Sequence, residues 1–100
     1  MAFSLKLHRD VEKQLLRFPP GDRQRLAGAM RSLRDEPRPP RAVQLEQDLY
    51  RLRVGDYRII YAVFDDLLVV FVCRAARRSE TTYRDLAELM ARARAQMSKP

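Results

Sequence analysis

Histidine and cysteine are almost missing from this 100-residue chain, which holds one of each, His8 and Cys73. A lone cysteine excludes an internal disulfide and favours a reducing compartment. One histidine with one cysteine makes no zinc site, and a single histidine rules out a histidine acid–base pair within one chain. Lysine is scarce as well: Lys6, Lys13 and Lys99 are the only ones, so the other cations are arginines. Long apolar runs are lacking. The longest, residues 67–73, falls far short of a membrane span. The opening MAFSLKLHRDVEK is too polar for a signal peptide. A cytoplasmic protein without membrane contact is expected.

What the chain has in quantity is positive charge. Lys and Arg number 20 against 13 Asp and Glu, a net +7. Arginine stays charged at any ordinary pH and forms bidentate pairs with phosphate, so the balance points to a polyanion partner, nucleic acid first. The apolar fraction, 46%, suits a folded protein, and residues 1–100 have room for a single domain with one core.

Phe3, Leu5 and Leu7 alternate with Ser4, Lys6 and His8, the mark of a strand with one buried face. Val11, Leu15 and Phe18 follow at helical spacing, with Asp10 as the expected N-cap and Pro19-Pro20 as the stop. A second helix is expected over residues 20–34, with Leu26, Met30 and Leu33 on one stripe. From Val43 the period changes to two. Strands are expected at 49–54, 57–64 and 67–74, joined by two-residue turns at Gly55-Asp56 and Asp65-Asp66. A last helix spans about residues 82–96, with Thr82 and Asp85 spaced as a capping box. Leu86, Leu89, Met90 and Ala93 would face the sheet. This order predicts an α+β fold: a small antiparallel sheet with two N-terminal helices and one C-terminal helix.

The hairpin YRLRVGDYRIIY carries the charge that needs explaining. A two-residue turn sets Val54 against Tyr57, Arg53 against Arg58 and Arg51 against Ile60, so Arg51, Arg53 and Arg58 share one face. Like charges directly opposite cost folding energy. Continued across Asp65-Asp66, the register sets Cys73 beside Arg58 and turns Arg74 to the other face unless a bulge intervenes. The bland reading is three snorkelling arginines answered by Asp48, Asp56 or Glu46. The functional reading is a basic patch that holds phosphates, with Arg74, Arg77 and Arg78 near the end of the neighbouring strand. Tyr50, Tyr57 and Tyr61 fall on the opposite, core-facing side. His8 reads as a strand-end surface residue, Asp65-Asp66 as a turn and not a metal pair, Cys73 as inert, and Ser79 as a turn or cap residue. Tyr83 is open: it follows RRSETT at the mouth of the last helix, within reach of the arginine face.

The stretch YRLRVGDYRIIYAVFDDLLVVFV followed by RRSETTYRDL resembles the RelE/ParE superfamily of bacterial type II toxins, nearer to the RelE branch. The likeness covers nearly the whole chain and is strongest over residues 49–83. It implies a RelE-like, microbial RNase-type fold and a ribosome-dependent, metal-independent endoribonuclease without cofactor. Such an mRNA interferase cuts messages in the ribosomal A site through the RNA's own 2′-OH. By motif it implies Arg58, Arg77 or Arg78, and Tyr83 as catalytic residues, with Arg51 and Arg53 binding substrate phosphates. It also implies an acidic antitoxin partner, contacts with ribosome-bound mRNA, and operator DNA only through the antitoxin complex. Two departures stand out. Both hairpin positions are arginine where relatives often have lysine, so neither serves as general base. RRSETTY is one residue longer than the R-S-E-V-Y form, which leaves Arg77 and Arg78 undivided. A ParE-like DNA gyrase inhibitor without nuclease activity is the alternative; a plain nucleic-acid-binding module is the third.

Overall fold

A computed structural model describes residues 2–77 and 85–97. Its elements are β1 (Ser4–Leu7), α1 (Arg9–Leu16), α2 (Pro20–Ser32), β2 (Val43–Glu46), β3 (Leu49–Val54), β4 (Tyr57–Phe64), β5 (Val69–Arg77) and α3 (Leu86–Met97). The strands form one five-stranded sheet in the order β1-β5-β4-β3-β2. The fold is α+β, as expected, but the sheet is mixed. β2 through β5 pair antiparallel, whereas β1 runs parallel to β5. Short hairpin connections force antiparallel neighbours. β1 is tied to β5 by no hairpin, so its direction follows from how α1 and α2 cover the sheet. β2 is a strand beyond those expected, a short edge strand with mostly exposed side chains.

The two faces of the sheet carry separate cores. Val11, Phe18, Leu26, Met30 and Leu33 of the N-terminal helical region pack against Leu52, Tyr57, Ile59, Tyr61 and Val72. On the other face Leu89, Met90 and Ala93 of α3 cover Leu49, Ile60, Ala62, Phe64, Phe71 and Cys73. The alternation read from the sequence is thus real, but β4 is buried on both faces because helices lie on both.

Two local expectations are corrected. His8, not Asp10, caps α1: its extended backbone starts the helix and its Nδ1 accepts the Asp10 amide at 3.1 Å. Asp10 lies inside the first turn, where a carboxylate still complements the helix dipole. The β4–β5 connection is a four-residue loop, residues 65–68, not a two-residue turn. Leu68 takes the left-handed conformation there, at φ 54°, and β5 starts at Val69. The β3–β4 turn is as expected, with Gly55 at φ 58°, a backbone that suits glycine.

Candidate functional site

The β3–β4 register sets Arg53 opposite Arg58 and Arg51 opposite Ile60. Arg51, Arg53 and Arg58 therefore stand on the face that carries α3. Arg53 is exposed; Arg51 and Arg58 are half-buried. The guanidinium Nε of Arg58 is buried.

A β-bulge in β5 changes which arginines join them. Tyr61 pairs with Val72, but Ile60 pairs with Arg74, so the register shifts at Cys73. Cys73 and Arg74 consequently face the same side, and Arg74 moves onto the arginine face. Ala76, not Cys73, stands beside Arg58. A bulge inserts one residue and reverses the alternation beyond it. The same reversal sends Arg77 to the opposite face. There it pairs in register with Tyr57, and its guanidinium carbon lies 5.7 Å from the Tyr57 ring centroid. The structure thus brings Arg51, Arg53, Arg58 and Arg74 together and turns Arg77 away from them. Arg78 and Tyr83, and the expected cap Thr82, lie outside the described residues.

Arg74 is held by Asp85, the residue before α3. Two hydrogen bonds, Nη1 to Oδ1 at 2.9 Å and Nη2 to Oδ2 at 2.8 Å, make a bidentate pair. This pairing holds the Asp85 carboxyl below its ordinary value. Burial pushes the Cys73 thiol up to about 12, in keeping with an inert residue.

Behind the sheet a second cluster fixes the hairpin tip. Tyr57 donates its hydroxyl to Asp22 Oδ2 at 2.7 Å, and Arg25 Nη2 donates to Asp22 Oδ1 at 2.7 Å. The Tyr57 hydrogen bond, then that of Arg25, lowers the Asp22 pKa, and the Asp22 bond raises that of Tyr57. The arginine-bearing hairpin is therefore anchored to α2 through its core side. Tyr57 read as packing from the sequence. Its hydroxyl partner, 35 positions away, had no local signal.

The family model for the ParE toxin of type II toxin–antitoxin systems, parDE, matches residues 5–82. The chain belongs to the RelE/ParE toxin superfamily. Its likeness to relatives named RelE runs the length of the fold. The archaeal RelE–RelB complex of Pyrococcus horikoshii OT3 holds a chain 30% identical, with TM-score 0.70, covering 81% of this chain and 100% of its own. RelE1 of Methanocaldococcus jannaschii is 26% identical over 83 residues, 78% of this chain and 92% of that relative. The isolated RelE toxin of E. coli superposes with TM-score 0.67 over 92% of this chain and 99% of its own; at 21% identity it speaks to the fold alone. In this superfamily toxin, no helix among the described residues is long and apolar enough to cross a membrane.

Proposed function

We propose that this chain is the toxin of a type II pair and acts as an mRNA interferase, an endoribonuclease that cuts messages on the ribosome and so stops translation. The observation that carries this reading is the gathering of Arg51, Arg53, Arg58 and Arg74 on one face of a rigid sheet. Facing arginines cost stability unless an anion lies between or above them. The RNA's 2′-OH attacks the adjacent phosphorus, giving a 2′,3′-cyclic phosphate and a 5′-OH. The transition state gathers charge on the phosphate oxygens, and preorganised guanidinium groups stabilise it. Loss of one such donor costs roughly a hundred-fold in rate. Arg58 takes this role, and Arg51 and Arg53 hold flanking phosphates. The second catalytic cation is assigned to Arg78 over Arg77, because Arg77 sits over Tyr57 on the other face. Tyr83 supplies proton transfer. No metal or cofactor enters the scheme. The natural inhibitor is an acidic antitoxin segment: the similar chain from P. horikoshii was solved in complex with RelB.

The second reading, a DNA gyrase inhibitor without chemistry of its own, draws on the matching family description, ParE toxin. Purified protein added to a translation reaction, with the message mapped by primer extension, separates the two. Cuts within the A-site codon, dependent on ribosomes, are the expected result. Intact message together with inhibited gyrase supports the second reading and removes the first.

A further inference from the structure

Arg74 reaches the arginine face only because of the bulge at Cys73. Strict alternation from Val72 would have aimed it at the α1–α2 core. Once there, it does not enter the patch as a bare cation. Asp85 meets it fork to fork, and the two side chains stay 21% and 29% exposed, so the pair is reachable from solvent. A carboxylate and a phosphodiester are alike in what they offer a guanidinium: one negative charge and two oxygens that accept parallel N–H bonds. Arg74 is already ordered and partly desolvated by its pair with Asp85. Exchanging one anion for the other therefore costs little further ordering.

We propose that Arg74 is a further phosphate-binding residue of this face, and that the Asp85 carboxylate is the internal anion that a backbone phosphate displaces. The inference rests on the reading of the face as an RNA-binding surface, and it extends the substrate track from β3 and β4 onto β5. It also makes the start of α3 part of the affinity setting. Asp85 holds the place while the face is empty and competes with RNA when it fills.

The test is binding, not cleavage. A fluorescent single-stranded 2′-O-methyl oligoribonucleotide, which lacks the attacking hydroxyl, is titrated with the full chain over a range of salt. Asp85→Asn should tighten binding about 3–5-fold at low salt, the worth of an accessible ion pair. Arg74→Gln should weaken it and flatten the log–log salt slope by about 0.7, the amount for one phosphate contact on a single strand. Glu88→Gln and Arg92→Gln make the same charge changes at an ion pair within α3. They should change affinity less than about 2-fold and leave the slope alone. The Arg74→Gln/Asp85→Asn double variant has no charge left at the pair, so its fold depends on neither partner. It should lose the gain of Asp85→Asn and keep the flatter slope. An unchanged slope in Arg74→Gln, or equal effects of Asp85→Asn and Glu88→Gln, overturns the proposal while leaving the arginine face intact if Arg53→Ala still weakens binding and flattens the slope. The expected pattern with a message left uncut in translation would uphold this inference and remove the nuclease. Wild-type protein that does not bind the probe at all overturns both.

Discussion

Arg58 is the residue on which most of the functional reading turns. It faces Arg53 directly, so removing it relieves a like-charge contact in the sheet. Arg58→Ala should abolish growth arrest and lower cleavage by about a hundred-fold or more, with a melting temperature close to that of the wild type. A steep fall in that temperature would mark Arg58 as a structural ion-pair member. Tyr83 is tested by two variants. If its hydroxyl moves a proton, Tyr83→Phe should lose about 10²–10⁴-fold in single-turnover cleavage on programmed ribosomes, nearly as much as Tyr83→Ala. If the ring only stacks on a base, Phe should keep most activity and Ala should lose about 1–3 kcal/mol of binding. Arg77 and Arg58 lie within one short stretch of register, yet they point to opposite faces. Chemistry read residue by residue could not divide Arg77 from Arg78; the register places Arg77 on the face away from Arg58, and Arg78 lies outside the described residues.

At the level of elements, the hairpin works because its far side is tied down. α2 grips its tip through Asp22 and Tyr57. α1 and α2 are locked together where Arg23 Nε and Nη2 donate to the carbonyls of Leu15 and Phe18 at 3.1 and 3.2 Å. The Leu15 carbonyl, in the last turn of α1, also accepts the Phe18 amide at 3.1 Å, and Arg23 adds a second donor there. The segment between α2 and β2 is pinned by Arg38, which donates through Nε to the Tyr50 hydroxyl at 2.7 Å and pairs with both Asp65 oxygens. Tyr61, fully buried, donates to the Pro37 carbonyl at 2.8 Å in the same region. Tyr61→Phe keeps the ring and strands that carbonyl, so it should cost about 1–3 kcal/mol in chemical denaturation. The substitution sits on the face away from the arginines, and binding by the surviving folded protein should be unchanged. A loss of binding without loss of stability would mean that the two faces are coupled through β4.

The whole molecule should respond to acid in one direction. Asp22, Asp65 and Asp85 come from different parts of the chain, and each is held below its ordinary value near 3.8: Asp22 by Tyr57 and Arg25, Asp65 by Arg38, Asp85 by Arg74. A carboxylate whose folded pKa is depressed contributes stability that is complete above its unfolded value. That contribution is lost as pH falls through the folded value. The melting temperature should therefore stay level from neutrality to about pH 5 and fall below about pH 4. Asp85→Asn and Asp22→Asn should each make the acid fall shallower. A profile unchanged by either variant would show that these pairs do not reach the folding equilibrium. Salt acts on the same scale. Association with RNA or with an acidic antitoxin should weaken as ionic strength rises, because the arginine face is partly exposed.

The local chemistry of the chain determined much of this by itself. The Gly55-Asp56 turn is short enough to dictate its own register, so Arg53 against Arg58 followed from spacing alone. The stripe of Leu26, Met30 and Leu33 and the core side of Tyr57 and Tyr61 followed from period. Three things belonged to the tertiary structure. β1 lies parallel to β5 because its direction depends on the path of α1 and α2, not on any turn. Gln14 of α1 accepts the Ala75 amide at 2.8 Å just past the bulge, a contact 61 positions apart that no local pattern encodes. The bulge itself exchanged Arg77 for Arg74 on the arginine face. A one-residue register shift costs little in sequence terms and reverses every side chain beyond it. Where such a shift falls is set by the packing of β5 between helices on both faces, and only the folded chain holds that information.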